Sequence, residues 1–447
     1  MDYVIYFIIT IGILVFVHEF GHFAAAKLTG MRADIFSIGF GKRLFGWNKI
    51  TGFTFGDLPK DFDGQGNTYY RLCLLPLGGY VKIAGMVDES FDTEFANKEP
   101  QPYEFRAKPA WKKIIVISAG VFMNLLLALL IFWGRNYFQQ QVIINTTTIG
   151  YVKSHSLADS LGFQPGDKIL TINKKPVSNW EEVINNIYVS TLGENLNVKV
   201  NHNGEIKDIT IPRKKIPDES KAPLISPKTQ PKIGKIWPDS PAEKAGIETN
   251  DILLKLDGVK LNSSRQAIDI ISSNKDNPIP VVLLRGKDTL QLSVTPGSDS
   301  KIGVIISDSG PLVYKSYGFF ESFYYGWKNI VNVTDLTFTT FAKVFNGKVQ
   351  FGKVFGGPIK IAQIATTSAE NGFSYFLVFL GILSLSLAII NIMPFPVLDG
   401  GHLIIIIVEG VMRREIPIKV KIAIQNTGFV ILLLLMAFII YSDIVNL

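Results

Sequence analysis

Four strongly apolar runs punctuate the chain, at about 3–26, 114–132, 375–392 and 427–441. A bilayer core of about 30 Å is crossed by roughly 20 helical residues at 1.5 Å each, so these runs predict a bundle of about four spans. Two further apolar stretches, Ile35 to Gly41 and Leu72 to Val81, are Gly-rich and too short to span as helices. They read as β-strands and tight turns that dip toward the membrane, a position tolerable only against protein or along a wet cavity. The bland alternative is a small cytoplasmic hairpin with no part in substrate handling. Between the second and third runs lie about 240 residues of ordinary polarity, 134–374. The first run is read as a retained span and not a cleaved leader, because no small-residue cleavage site follows and Asp2 stands where basic residues would.

Charge orients the bundle. Lys27, Arg32, Lys42 and Arg43 follow the first run, Lys108, Lys112 and Lys113 precede the second, and Arg413, Arg414, Lys419 and Lys421 precede the last. Basic flanks favour the cytoplasmic side, so both loops are expected there and the polar middle segment outside. Within that segment, Ile149 to Asn173 aligns without gaps to Ile233 to Asp257, 84 residues on. Ser156, Ala158, Gly162 and Asp167 recur as Ser240, Ala242, Gly246 and Asp251, and Asn250 replaces Gly166, as Asn can at a left-handed turn. Each copy, of roughly 80 residues, suits a small domain. The pattern resembles PDZ domains of the bacterial protease type, which bind peptide ends by strand addition; two spacers that bind nothing are the alternative. Beyond the repeat, Phe319, Phe320, Phe323, Tyr324 and Trp327 recur at helical spacing, as in a helix lying on a membrane surface or packed against the repeats. The chain thus divides into a first span (1–30), a cytoplasmic-side loop with membrane-associated strands (31–110), a second span (111–135) and two PDZ-like domains (136–222 and 223–310). An amphipathic segment (311–374), a third span (375–400), a cytoplasmic-side segment (401–426) and a fourth span (427–447) complete it.

Composition agrees: 47% hydrophobic and 19% charged residues make the chain part membrane and part aqueous. A formal charge of +7 comes with no Lys/Arg run interleaved with aromatics, so nucleic acid is not an expected partner. The single cysteine, Cys73, excludes an internal disulfide and any cysteine-based zinc site.

The chemistry sits inside the first span, at His18-Glu19-Phe20-Gly21-His22. On a helix, histidines at i and i+4 share one face one turn apart, where two imidazole nitrogens can hold one zinc ion. Glu19 is the candidate general base for a water the metal activates. Ionisable groups at membrane depth are costly enough to be functional by default. The third run breaks at Asn391-Ile392-Met393-Pro394-Phe395-Pro396-Val397-Leu398-Asp399-Gly400-Gly401-His402, where two prolines and two glycines cannot continue a helix. Unwinding there aims Asp399 at the histidines, with His402 as a rival ligand. Two histidines and one carboxylate leave a fourth position open, as in a catalytic zinc site.

Together, H-E-F-G-H, the G-F-G loop (Gly39, Phe40, Gly41), A-G-x-x-x-N in the second span (Ala119, Gly120, Asn124), the tandem PDZ-like repeat and N-x-x-P-x-P-x-L-D-G resemble the site-2 proteases. The likeness is to the bacterial regulator-of-sigma-E protease type. It implies a polytopic α-helical membrane zinc metalloendopeptidase with a membrane-dipping β-loop and two extracytoplasmic α+β PDZ domains, a monomer in the bacterial inner membrane. The implied substrates are single-pass membrane proteins, typically an anti-sigma factor already trimmed outside, and signal-peptide remnants. The resemblance implies zinc ligands at His18, His22 and Asp399, the base at Glu19, and substrate positioning at Asn391 and the G-F-G loop. A catalytically silent PDZ scaffold and a tethered protease acting on soluble proteins are the competing readings.

Overall fold

The computed structural model describes residues 2–58, 64–86, 99–191, 193–216, 223–347 and 356–445. The boundary expected at residue 222, and 348–355 of the amphipathic segment, lie outside the described residues. Two compact units emerge, one of 1–139, 317–338 and 350–447, the other of 140–316 and 339–349.

In the first unit, α1 (Asp2–Leu28) carries the histidine motif. It ends on Gly30, whose φ of +74° is a left-handed cap that only glycine takes without strain; the Met31 amide then donates back to the Ala26 carbonyl at 2.8 Å. Strands β1 (Ala33–Asn48), β2 (Gly52–Phe55) and β3 (Tyr69–Ile83) follow, in the order β2-β1-β3. β1 turns at Gly39 and Gly41, with φ of +84° and +83°. Residues 35–38 therefore register with both 69–72 and 79–82 of β3. A core of Ala25, Ala26, Met31, Ala33, Phe36, Val81, Ile83 and Val116 fastens this sheet to α1 and to α2 (Ala110–Phe138).

Helix α3 (Phe319–Phe345) follows, then α4 (Pro358–Glu370) and α5 (Phe373–Ile392). The aromatic cluster is split between two surroundings. Phe319 packs on Trp133 of α2 at 4.8 Å between ring centroids, and Phe320, 85% exposed, points away. Ala128, Phe132, Ile330, Leu385 and Ile389 form the apolar centre between α2, α3 and α5. After α5 the backbone is non-helical until α6 (Asp399–Met412), too short to cross a bilayer, and α7 (Ile418–Val445) ends the unit. Among the described residues, four helices are long and apolar enough to span: Tyr3–Leu28, α2, α5 and α7.

The second unit shows why its sequence repeats. Ser156 and Ser240 each cap a short helix, accepting from the amides of Asp159 and Glu243 at 3.3 Å. Ala158 and Ala242 are fully buried at the same place in two separate apolar cores. Gly166 has φ of +102° and its counterpart Asn250 +76°, so the one departure falls where Asn tolerates the left-handed region. Asp167 and Asp251, each 1% exposed, accept from the amides of Gln164 and Glu248 at 2.9 and 2.8 Å. Their second partners differ: His202 in the first copy, at 2.5 Å, and Arg285 in the second, at 2.8 Å. The copies build sheets of four strands (175–176, 168–172, 196–202, 205–211) and six (288–294, 279–285, 252–256, 230–236 and 304–309, with 259–260 on 252–256).

Candidate metal centre

The i, i+4 spacing on α1 stacks the two imidazoles edge to face, 4.8 Å between ring centroids, with their Nε2 atoms 3.2 Å apart. Asp399, the first residue of α6, brings Oδ2 to 3.3 Å from His18 Nε2 and 3.4 Å from His22 Nε2. Four ligands at the zinc distance of about 2.0–2.1 Å, placed tetrahedrally, stand about 3.3 Å from one another. The triangle has that edge, and its apex Oδ2 is buried with no hydrogen-bond partner, so the donor set fits a metal ion. It is the metal-competent cluster found among the described residues.

α2 supplies what points the rings. His22 Nδ1 donates to the Val116 carbonyl at 2.8 Å, and the amide group of Asn124, fully buried, lies with Nδ2 3.3 Å from His18 Nδ1. With Nε2 turned to a metal, Nδ1 must carry the proton and donate, so the Asn124 amide is assigned with its oxygen toward the ring. That assignment also gives a partner to an amide oxygen that otherwise has none. Ser384 of α5 donates to the Asn124 carbonyl at 2.7 Å and ties this support to the third long helix. Two glycines permit the approach. A Cβ on Gly21 would strike the Ala119 carbonyl, and one on Gly120 would strike both imidazoles.

Asp399 is aimed by the Pro turn. Gly400 and Gly401 lie on the carbonyls of Ile392, Met393 and Phe395, with no room for a side chain. Val397 is held at φ +84°, a conformation that costs a β-branched residue about 1–3 kcal/mol and clusters at functional sites. Gly428 of α7 abuts Pro396. A cavity of about 560 Å³ opens on the centre, lined among others by His18, Glu19, Phe40, Asn124, Asn391 and Asp399. Of the G-F-G loop, Phe40 lines this cavity; Gly39 and Gly41 do not, and serve as the bend in β1. His402 lies outside the donor triangle, with Nε2 3.2 Å from the side-chain nitrogen of Gln425. Gln425 and Gly79 line the same cavity and carried no sequence signal: one is a polar residue in an apolar helix, the other one glycine among 39. A Cβ on Gly79 would fall 3.0 Å from Glu19 Cγ, so glycine there lets the strand lie against Glu19.

Comparison with known proteins gives the family. The model of peptidase family M50 matches residues 6–435. A Vibrio cholerae protein assigned by name to the zinc metalloproteases is 31% identical over 98% of this chain and 97% of its own length. The regulator of sigma-E protease RseP of Salmonella typhimurium is 29% identical over 98% of this chain and 97% of its own. Its namesake in Escherichia coli K12 is 28% identical with the same coverage. The chain therefore belongs to peptidase family M50, the site-2 proteases, and is a multi-pass membrane zinc metalloprotease.

Proposed function

We propose that this protease cuts single-pass membrane proteins within the bilayer, with zinc held by His18, His22 and Asp399 and with Glu19 as the general base. The observation that carries the reading is the triangle of donor atoms at 3.2–3.4 Å in a membrane-embedded cavity. When bound, zinc supplies a Lewis acid that polarises the scissile carbonyl and brings the pKa of water down toward about 7. Glu19 takes the proton of the attacking water and returns it to the leaving amine. A helical substrate hides its amides, so it must unwind before attack. Residues 79–83, next to Glu19, offer a strand edge to the unwound backbone, and Asn391 and Phe40 line the space it would fill.

The relatives named for sigma-E regulation favour an anti-sigma factor, already trimmed outside, as a substrate; signal-peptide remnants meet the same requirement of one short-tailed span. The basic flanks support a cytoplasmic position for both active-site loops, and the relatives support a bacterial inner membrane. We read the two repeat units as PDZ-type domains outside it, supported by the matched caps and left-handed turns. Metal analysis of the purified protein, alongside cleavage of a model transmembrane substrate by wild type and Glu19→Gln, tests the proposal. Stoichiometric zinc with cleavage lost in the variant supports it. Chain-end binding without cleavage by wild type would instead establish a silent scaffold.

A further inference from the structure

The β1–β2 hairpin carries an aromatic face. Phe45 pairs with Phe55 and Trp47 with Phe53, and residues directly opposite share a face, so these four rings lie on one side. They are 38, 81, 40 and 70% exposed in that order. Phe45 draws the face together, its ring centroid 6.4 Å from that of Phe53 and 6.3 Å from that of Phe55. Large exposed rings gathered in this way mark an interaction surface.

What covers the face follows from where it leads. On β3, Tyr70 stands opposite Trp47, their ring centroids 5.8 Å apart. Tyr70 packs in turn on Phe23 of α1 at 5.7 Å and on Phe36 at 6.1 Å, and Phe36 meets Phe16 of α1 at 6.0 Å. Phe16 and Phe20, stacked at 6.0 Å, are 43 and 42% exposed on a helix long and apolar enough to span. Exposed apolar rings on such a helix meet lipid. A run of touching rings thus joins the lipid-facing side of α1 to the hairpin. Phe23 lies five residues, about 7.5 Å, before the end of α1 at Leu28. Interfacial elements bury their apolar face about 5–10 Å into the headgroup–acyl boundary, and Tyr70, with Trp47 beside it, stands in that band. Tryptophan is favoured there because its body is apolar and its indole N–H polar. We propose that the aromatic face of this hairpin is a membrane anchor, seated in the headgroup–acyl boundary of the bilayer next to α1. β1 is hydrogen-bonded to both β2 and β3, so the anchor also holds the height of the strand that passes Glu19 at Gly79.

The test uses the full-length protein in nanodiscs of phosphatidylethanolamine and phosphatidylglycerol, in a Cys73→Ala background. A nitroxide is attached at Phe53→Cys or Phe55→Cys. Leu434→Cys, 67% exposed on α7, is the lipid reference, and Lys207→Cys, exposed on strand 205–211, is the water reference. Collision with oxygen, which prefers lipid, is measured against collision with a water-soluble nickel chelate. The oxygen-to-nickel ratio at 53 and 55 is expected to exceed the Lys207 value several-fold and to approach that at Leu434. A ratio equal to the Lys207 value would overturn the anchor. So would shielding from both reagents, the sign of a protein partner, or dipolar broadening between labels, the sign of a second copy. Where a labelled protein melts far below wild type, Trp47→Phe, which keeps a ring on the face, gives the second measurement. Brominated lipid in the nanodisc should quench more fluorescence in wild type than in Trp47→Phe, and equal quenching would overturn the proposal.

Discussion

Gly120→Ala puts the smallest possible side chain at the tightest point of the metal centre. Its Cβ would stand 2.7 Å from His18 Cε1 and 2.9 Å from His18 Nδ1, and nearer still to His22 Nε2. Ordinary contact begins near 3.4 Å, so the His18 ring must retreat by roughly 0.5–0.7 Å, and with it the bond to Asn124, and the His22 ring must retreat further, by about 1 Å. Sites of this kind tolerate about 0.5 Å, and a misplacement near 1 Å costs on the order of 100-fold in rate. Disturbing the groups that orient a ligand histidine costs about 10–100-fold in metal affinity. We expect zinc affinity to fall 10–100-fold and transmembrane cleavage about 100-fold, with overpacking lowering stability by about 1–3 kcal/mol. The same helix supplies the control. A Cβ on Gly134 meets nothing within 4 Å, so Gly134→Ala should bind zinc and cut as wild type does. Affinity is read by competition with a chelating dye in detergent, and folding by thermal melting. A Gly120→Ala protein that melts, binds zinc and cuts like wild type would show that this close approach sets nothing in the site.

Glu19→Gln should keep zinc and fold yet lose cleavage; near-wild-type turnover in detergent would remove Glu19 as the base. Asp399→Asn should lower zinc content because a neutral amide is a poor third ligand, whereas His402→Ala, outside the donor triangle, should keep the metal; the reverse pattern in metal analysis would exchange their roles. Asp251 is pushed up by burial but held below its ordinary value by hydrogen bonds from Arg285 and the Glu248 amide. A carboxylate with a depressed folded pKa stabilises above its unfolded value near 3.8, and that stability is lost as pH falls through the folded one. Arg285→Met should therefore flatten the decline in stability of the second repeat below about pH 4, as followed by acid-dependent melting of the full chain; an unchanged acid limb would refute the pairing. Deleting about 145–308 should leave trimmed substrates cleavable and admit untrimmed ones if the repeats act as a size filter; slower cleavage of the trimmed form, with the full-length form still uncut, ends that idea.

The sequence by itself determined every feature that is local in the chain. The 3.6-residue period puts His18 and His22 on one face whatever else folds. The apolar runs and their lengths set the spanning helices, and two prolines with two glycines forced the break that ends α5 at Ile392. The repeat could be seen because caps and left-handed turns demand particular residues: Ser156 and Ser240, then Gly166 and Asn250. What the tertiary structure decided depends on residues far apart in the chain. Asp399 rather than His402 closes the triangle, because the turn held by Val397 aims one of them at α1 and leaves the other beside Gln425. The orientation of each imidazole is set by α2, through a backbone carbonyl that has no sequence signature and an asparagine recognisable only as part of a motif. The side on which Arg43 lies was illegible for a related reason. The bulge before Phe45 reverses which side Arg43 faces, so strict alternation along β1 would have put its charge among the aromatic rings.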